Sequence, residues 1–453
     1  MQPYRLHVFM CDQKKPEGLP CCSARGSTRV IEAMRREVAA AGLADDVQVT
    51  ACGSLGLCER GPNVVVYPEG VWYSGVQADD VPEIVREHFG GGRVVERLAN
   101  RNGVALHTEI DGNKKKMLAA MSANDAAGML PEDFQQAVRG FQVSRVLLTA
   151  IELDVFSAVG GGARGEAVAA KLGTDQRATL MLLDALVALE VLRKQDGTYE
   201  NSSVAARYLA AGARDDARAA LMHTAHLWPR WSTLSDCVRQ GTSVTYREMV
   251  ERGDEWTEAF IAAMHRSATA RAPVVVRATG IDGVRRLLDV GGGSGAYSIA
   301  FASASEELSA EIFDLPTVVP IAQRHIEEAK LTTRVTTRAG DLRTDEFGKG
   351  YDLIFVSAIC HMLGPAANLN LLERCFAALS PGGRVVIQDF ILAPDRTSPR
   401  LAALFALNML VGTREGSSYS SDDYRSWLEQ VGFSEIRQVS PPGPTGLMLG
   451  RHP

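Results

Sequence analysis

The chain of 453 residues is 46% apolar and 23% charged, a globular composition that excludes wholesale disorder and suggests about three domains. Its 48 Lys and Arg against 54 Asp and Glu leave a net charge of −6, which argues against sequence-independent nucleic-acid binding, a task for clustered cations. No apolar run approaches the roughly 18 residues of a membrane span, and no apolar leader core follows Met1, so a cytoplasmic protein without membrane contact is expected.

Residues 1–92 are expected to form a small α/β unit. Leu6–Met10 reads as a strand, Ser27–Ala41 as a helix with Val30, Ile31, Met34 and Val38 on one face, and Val47–Thr50 as a second strand. Asn63–Tyr67 and Val71–Tyr73 read as strands either side of a Pro-Glu-Gly turn. Asp80 reads as the cap of a last helix that stops at Gly90-Gly91-Gly92. Of the eight cysteines, five lie in the first 58 residues: Cys11, Cys21, Cys22, Cys52 and Cys58. In a reducing compartment such a group points to metal or redox chemistry rather than to disulfides. Residues 93–130, with mixed charge, Gly and Asn breakers and the Lys114–Lys116 run, read as a linker.

Residues 131–270 are helix-rich, with periodic apolar positions over Phe141–Val159, Glu166–Leu172 and Ala178–Leu192. Arg193–Tyr199, with Asp196-Gly197 at its turn, reads as a β-hairpin wing. Helices followed by a wing make a winged-helix arrangement. No basic recognition helix stands out, so packing or dimerisation is expected of it rather than DNA binding. His223 and His226 have no carboxylate cluster near them and are not read as a metal site.

Residues 271–453 alternate strand and helix, which implies a parallel sheet covered on both faces. Strands are expected at Arg286–Val290, Ala310–Asp314, Thr333–Ala339, Tyr351–Val356 and Gly383–Asp389. Ser434–Val439 and Thr445–Arg451 are separated by too few residues for a crossover helix, so they must run antiparallel. Gly291-Gly292-Gly293-Ser294-Gly295 follows the first of these strands, where glycines let a nucleotide-like ligand approach the backbone. Asp289 lies one residue before the end of that strand, Asp314 closes the second, Asp341 follows the third, and Ser357-Ala358-Ile359-Cys360-His361 follows the fourth. A dinucleotide fold shares the glycine loop, but Asp341 and the antiparallel C-terminal pair argue against it.

In order and spacing, the glycine loop, Phe313-Asp314-Leu315-Pro316, Gly340-Asp341-Leu342, Cys360-His361 and Pro381-Gly382-Gly383 resemble the plant-type and bacterial small-molecule O-methyltransferases. The resemblance covers about residues 131–453. It implies a winged-helix dimerisation domain over 131–270, hence a homodimer, and a Rossmann-like methyltransferase domain over 271–453 that binds S-adenosylmethionine. It assigns Asp289, Gly291, Gly293, Asp314, Leu315, Asp341, Leu342 and Ser357 to the cofactor, His361 to a general base supported by Asp389, and Trp228, Trp231, Met264, His265 and Met409 to the pocket of a small-molecule acceptor. Four positions depart from the plant-type pattern: Met362 replaces Asp, Ser357 replaces Lys, and Asp389 and Ser418 each replace Glu.

Cys11, Cys22, and the run Gly53-Ser54-Leu55-Gly56-Leu57-Cys58-Glu59-Arg60-Gly61-Pro62, with Val66-Tyr67-Pro68, resemble the thioredoxin-like [2Fe-2S] ferredoxins. The resemblance implies a cluster-binding domain over residues 1–92 with an electron-transfer partner or a redox-gating role. The family's second pair is Cys-x3-Cys, and Ser54 holds its first position here. The ligand set expected is Cys11, Cys22, Cys52 and Cys58, with Ser54 through its oxygen as the alternative to Cys52 and Cys21 as a spare. The function expected is methyl transfer to a hydroxyl of a small aromatic or macrocyclic molecule. The competing reading is a redox module on a catalytically idle methyltransferase scaffold.

Overall fold

The computed structural model describes residues 3–15, 20–126, 130–246 and 254–453. The chain divides into two compact units, Met1–Phe141 and Gln142–Pro453.

The first unit is built on strands β1 (Leu6–Cys11), β2 (Val47–Cys52), β3 (Asn63–Tyr67) and β4 (Val71–Ser74), in the order β2-β1-β3-β4. β1 and β2 run parallel, which requires a crossover, and the helix Ser27–Ala40 supplies it; β3 and β4 add antiparallel. Val8, Met10, Ile31, Met34, Val64 and Val66 are buried between helix and sheet. Asp80 stands at the N-cap of the helix that begins at Val81, as expected, but its carboxylate turns back to accept from the Gln77 N–H at 2.7 Å and closes a capping box on the preceding 3-10 turn Ala78–Asp80.

The expected linker over 93–130 contains a helix, Gly103–Ala126, of 24 residues; 127–129 lie outside the described residues. Gly112 and Asn113 do not break it, because tertiary contacts outweigh the roughly 1 kcal/mol that a mid-helix glycine costs. Asn113 Nδ2 donates to the Gly56 carbonyl at 2.8 Å, and Arg60 pairs with Glu109 at 2.6 Å. Ile110 packs where a Cβ on Gly56 would stand, 2.9 Å away. The helix is thus docked on the loop that carries Ser54 and Cys58.

The helix expected over Phe141–Val159 is divided. Glu132–Glu152 and Val155–Val159 are separated at Asp154, whose φ of 55° is left-handed. Asp175 caps Gln176–Ala188 by accepting from the Ala178 N–H at 2.8 Å. The wing is as expected: β6 (Leu192–Gln195) and β7 (Thr198–Asn201) turn through Asp196 and Gly197, both at positive φ, with β5 (Ala163–Arg164) on the far side of β7.

The main sheet comprises β8 (Arg286–Val290), β9 (Ser309–Asp314), β10 (Val335–Ala339), β11 (Tyr351–Ser357), β12 (Leu379–Asp389), β13 (Ser434–Val439) and β14 (Gly446–Arg451). Its order is β10-β9-β8-β11-β12-β14-β13. The first five strands are parallel and β14 and β13 antiparallel, as the short C-terminal connection required. Strand order reverses between β8 and β11, so the crevice at their carboxyl ends is where such sheets bind ligands.

One consequence concerns Gly56, which sits at φ 83° against Ile110. Gly56→Ala is expected to destabilise the docked helix by about 1–2 kcal/mol, from left-handed strain and the displaced Ile110. Hydrogen exchange on the full chain should show faster exchange in 103–113, with the main sheet unaffected.

Candidate active site

The glycine loop follows β8 at the switch point. Gly291 and Gly293 adopt φ of 69° and 56°, which favour glycine. A Cβ on Gly292 would stand 2.7 Å from the Asp289 carboxyl carbon, and one on Gly291 would meet Ile359 at 2.3 Å. The loop therefore stays bare, and Leu342 and Ile359 converge on Gly291. Asp314, at the end of β9, anchors it: Oδ2 accepts from the Gly293 N–H and Oδ1 from the Leu315 N–H, both at 2.7 Å. Burial pushes the Asp314 carboxyl up, and these two N–H donors oppose the shift.

Asp289 lies beneath the loop rather than in it. It is fully buried; Oδ2 accepts from Ser298 Oγ at 2.7 Å, and Oδ1 has no partner among the described residues. It shapes the cradle from below. Asp341 is gripped by Arg343, whose Nη2 lies 2.9 Å away and which holds the carboxyl below its usual range. Ser357 Oγ donates to Gln388 Oε1 at 3.0 Å.

His361 stands on the short turn Cys360–Met362 after β11, and Asp389 ends the neighbouring β12. His361 Nδ1 lies 2.6 Å from Asp389 Oδ1, and both side chains are buried. An ionised carboxylate can only accept, so in the neutral ring Nδ1 carries the proton and Nε2 keeps its lone pair. Asp389 also accepts from the backbone N–H of His361 at 3.1 Å and of Phe390 at 2.8 Å, and from Tyr424 O–H at 3.2 Å. The shorter Asp thus reaches the histidine despite the Glu-to-Asp departure. Asn368 Nδ2 donates to the Cys360 carbonyl and fixes the turn from behind. Sequence reasoning missed Tyr424 and Asn368, which lie 35 and 8 residues from their partners Asp389 and Cys360 and belong to no motif. Ser418, in the place of a second Glu, is buried, and its Oγ has no partner among the described residues.

The residues expected to line the acceptor pocket each have other neighbours. Trp231 Nε1 donates to Asn408 Oδ1 at 3.0 Å, and Met409 is the next residue on the same helix, Arg400–Gly412. Trp228 lies under Arg145. Met264 is partly exposed. His265 serves the glycine loop instead: Nδ1 lies 2.8 Å from Ser294 Oγ, and its ring stacks on His325.

In the first unit Cys11, Cys22 and Cys58 form a buried group with Leu55 packed against it. Cys52 is outside that group: it pairs with Cys11 across the β1–β2 register and is half-exposed. Ser54 Oγ lies 3.4 Å from Cys58 Sγ, and Asn63 Nδ2 donates to Cys22 Sγ. The thiol–thiol hydrogen bond pulls Cys11 down to about 6 and pushes Cys22 up. Among the described residues no three His, Cys, Asp or Glu side chains surround a position for a single metal ion.

Burial raises the Asp289 carboxyl from 3.8 to about 7. A carboxyl raised by folding stabilises the fold when protonated; that contribution is present below about pH 4 and is lost as pH climbs through 7. Asp289→Asn should therefore gain melting temperature relative to the wild type between pH 5 and pH 8, as read by calorimetry. A constant difference across that range would contradict the assignment.

Residues 231–434 match the O-methyltransferase domain and residues 135–211 the O-methyltransferase dimerisation domain. The chain is 34% identical over 320 residues to 3-hydroxy-5-methyl-1-naphthoate 3-O-methyltransferase of Streptomyces sahachiroi, covering 69% of this chain and 92% of that protein. It is 30% identical over 341 residues to the tetracenomycin polyketide synthesis 8-O-methyl transferase TcmO of Streptomyces glaucescens, covering 71% and 97%. Among solved structures, human N-acetylserotonin methyltransferase in complex with SAM superposes with a TM-score of 0.63 at 26% identity, covering 70% of this chain and 96% of that one. No helix among the described residues is long and apolar enough to cross a membrane. With the glycine cradle, the Asp314 anchor and the His361–Asp389 pair at one sheet edge, these matches establish that the chain belongs to the O-methyltransferase family and is an S-adenosylmethionine-dependent O-methyltransferase of small molecules.

Proposed function

We propose that the enzyme methylates a phenolic hydroxyl of a small aromatic acceptor, with His361 as general base and Asp389 as the group that orients it. The observation that carries this reading is the 2.6 Å contact between His361 Nδ1 and Asp389, which leaves Nε2 as a proton acceptor beside the glycine cradle. S-adenosylmethionine, when bound, supplies a methyl group on a sulfonium whose thioether is a good leaving group. Asp314 keeps a second lone pair on each oxygen for the ribose hydroxyls, and Gly291 and Gly293 leave room for the amino-acid end. Leu315, Leu342 and Asp341 take the adenosine, with Arg343 orienting Asp341, and Ser357, held by Gln388, adds to the cofactor site.

A phenol ionises near pH ~10 and is a weak nucleophile at neutral pH until it loses its proton. His361 Nε2 takes that proton, and the buried Asp389 carboxylate stabilises the imidazolium that results. Asp389 therefore acts by position and charge, not by accepting the proton. The dimerisation segment 135–211 makes the working species a homodimer.

His361→Ala is expected to lower turnover of a phenolic acceptor by about 10²–10⁴-fold while S-adenosylmethionine affinity stays within about twofold. Asp314→Ala should do the reverse, weakening cofactor binding about tenfold or more in titration calorimetry. Cofactor binding without methylation of any phenol, indifferent to His361→Ala, would favour the idle scaffold.

We propose in addition that the first unit is a thioredoxin-like ferredoxin domain holding a [2Fe-2S] cluster. Such a cluster takes four protein ligands, two on each iron. The support is that Cys11, Cys22 and Cys58 form one buried group, and Ser54 Oγ stands 3.4 Å from Cys58 Sγ at its side while Cys52 is half-exposed. On this reading the fourth ligand is Ser54, and Cys52 is a bystander. A cluster there supplies one-electron transfer to a redox partner or gates activity. Anaerobically purified protein is expected to contain about two irons and two sulfides per chain. Cys52→Ala should keep both, and Ser54→Cys should change the electron paramagnetic resonance of the reduced protein. Loss of iron in Cys52→Ala but not in Ser54→Ala would return the fourth position to Cys52. Iron-free, folded protein would make the domain purely structural.

A further inference from the structure

One face of the helix Arg400–Gly412 carries Phe405, Asn408 and Gly412, at helical spacings of three and four. Phe405 meets the His361 ring edge-on, with centroids 4.9 Å apart. Asn408 accepts from Trp231 at 3.0 Å. At Gly412 an added Cβ would lie 3.7 Å from Arg230 Nη1. The stripe therefore begins at the proposed base and ends at a guanidinium about 10 Å along the helix axis, at 1.5 Å per residue.

Arg230 is half-buried, on the last turn of the helix Arg218–Trp231. Burial alone displaces its proton equilibrium, downward; no acid contributes to the shift. Among the described residues it has neither an ion-pair nor a hydrogen-bond partner for its side chain, whereas Arg145, Arg207 and Arg218 in the same unit are all paired with carboxylates. Gly412, at the end of the facing helix, leaves the guanidinium uncovered on that side. His223, one face-repeat earlier on the helix of Arg230, is also held below its usual range, first by burial and then by the charges of His226 and Arg230. The carboxylate nearest the base, Asp389, is taken up by His361, Tyr424 and two backbone N–H groups. A half-buried cation without a counter-charge calls for an anion from outside the chain.

We propose that Arg230 binds a carboxylate of the acceptor, so that the acceptor is an aromatic acid whose hydroxyl faces His361 and whose carboxylate faces Arg230. This specificity rests on the acceptor site proposed above, but its test is separable from the base chemistry. Arg gives a bidentate fork to a carboxylate, and Lys only a point charge.

The test uses full-length enzyme and three probes: 1-naphthoate, which has no hydroxyl to methylate, 3-hydroxy-1-naphthoate, and 2-naphthol, which is the hydroxy acid without its carboxylate. Calorimetry should show Arg230→Met weakening 1-naphthoate about 10–100-fold, with Arg230→Lys recovering part of the loss and S-adenosylmethionine affinity unchanged in both. In turnover, Arg230→Met should raise KM for the hydroxy acid by a similar factor, with kcat little altered and 2-naphthol indifferent. Equal losses on the acid and on 2-naphthol would mean that Arg230 only supports the helix end, and would overturn the inference. So would failure of the wild type to bind 1-naphthoate. Arg230-dependent binding of 1-naphthoate with no methylation of the hydroxy acid would instead uphold the anion site and refute the proposed base.

Discussion

Everything proposed for the chemistry depends on one buried carboxylate. Asp389 ends a central strand, is almost completely enclosed, and accepts four hydrogen bonds, from His361 Nδ1, two backbone N–H groups and Tyr424. A charge in that position is tolerable only because every direction around it is filled by a donor. The same bonds dictate the histidine's tautomer and orientation. The sheet register brings the pair together: Ser357 stands opposite Gln388, so the residues that follow each strand meet at the same edge. Folding the sheet and aligning the base are thus one event.

The glycine cradle obeys similar logic from the other side of the switch point. Gly292 has no space for a side chain because Asp289 is beneath it, and Gly293 is tied to Asp314 on the adjacent strand. On the proposed assignment the cofactor half of the site is consequently stiff backbone, while the acceptor half is built from side chains on two helices. Relatives with naphthoate, polyketide and acetylserotonin acceptors in their names each match about 70% of the chain. Methyl transfer moves no net electrons, so a redox domain on the same chain would bear on control or on the state of the acceptor.

Where local sequence dictates geometry, the reading from sequence and the structure agree. The wing turn at Asp196-Gly197, the order of strands with periodic apolar residues, and the antiparallel C-terminal pair all follow from turn chemistry and connection length. His361 and Asp389 were legible because both lie at strand ends in motif order. The disagreements occur where distant contacts prevail. The helix Gly103–Ala126 looked like linker because its breakers are local, while the Gly56 contacts that hold it come from about fifty residues away. Cys52 stands opposite Cys11 in the β1–β2 register but is half-exposed, whereas Ser54 adjoins the buried Cys58 sulfur, a difference that spacing alone does not show. Arg230 has no motif at all; only its missing partner distinguishes it.

The most direct test of the central claim is the tautomer of His361, read by long-range ¹H–¹⁵N correlation of histidine-labelled enzyme at neutral pH. The account predicts a proton on Nδ1, hydrogen-bonded to Asp389, and a bare Nε2; Asp389→Asn should disturb both signals. A resting ring with its proton on Nε2 would contradict the base mechanism, because the nitrogen meant to receive the acceptor's proton would already carry one.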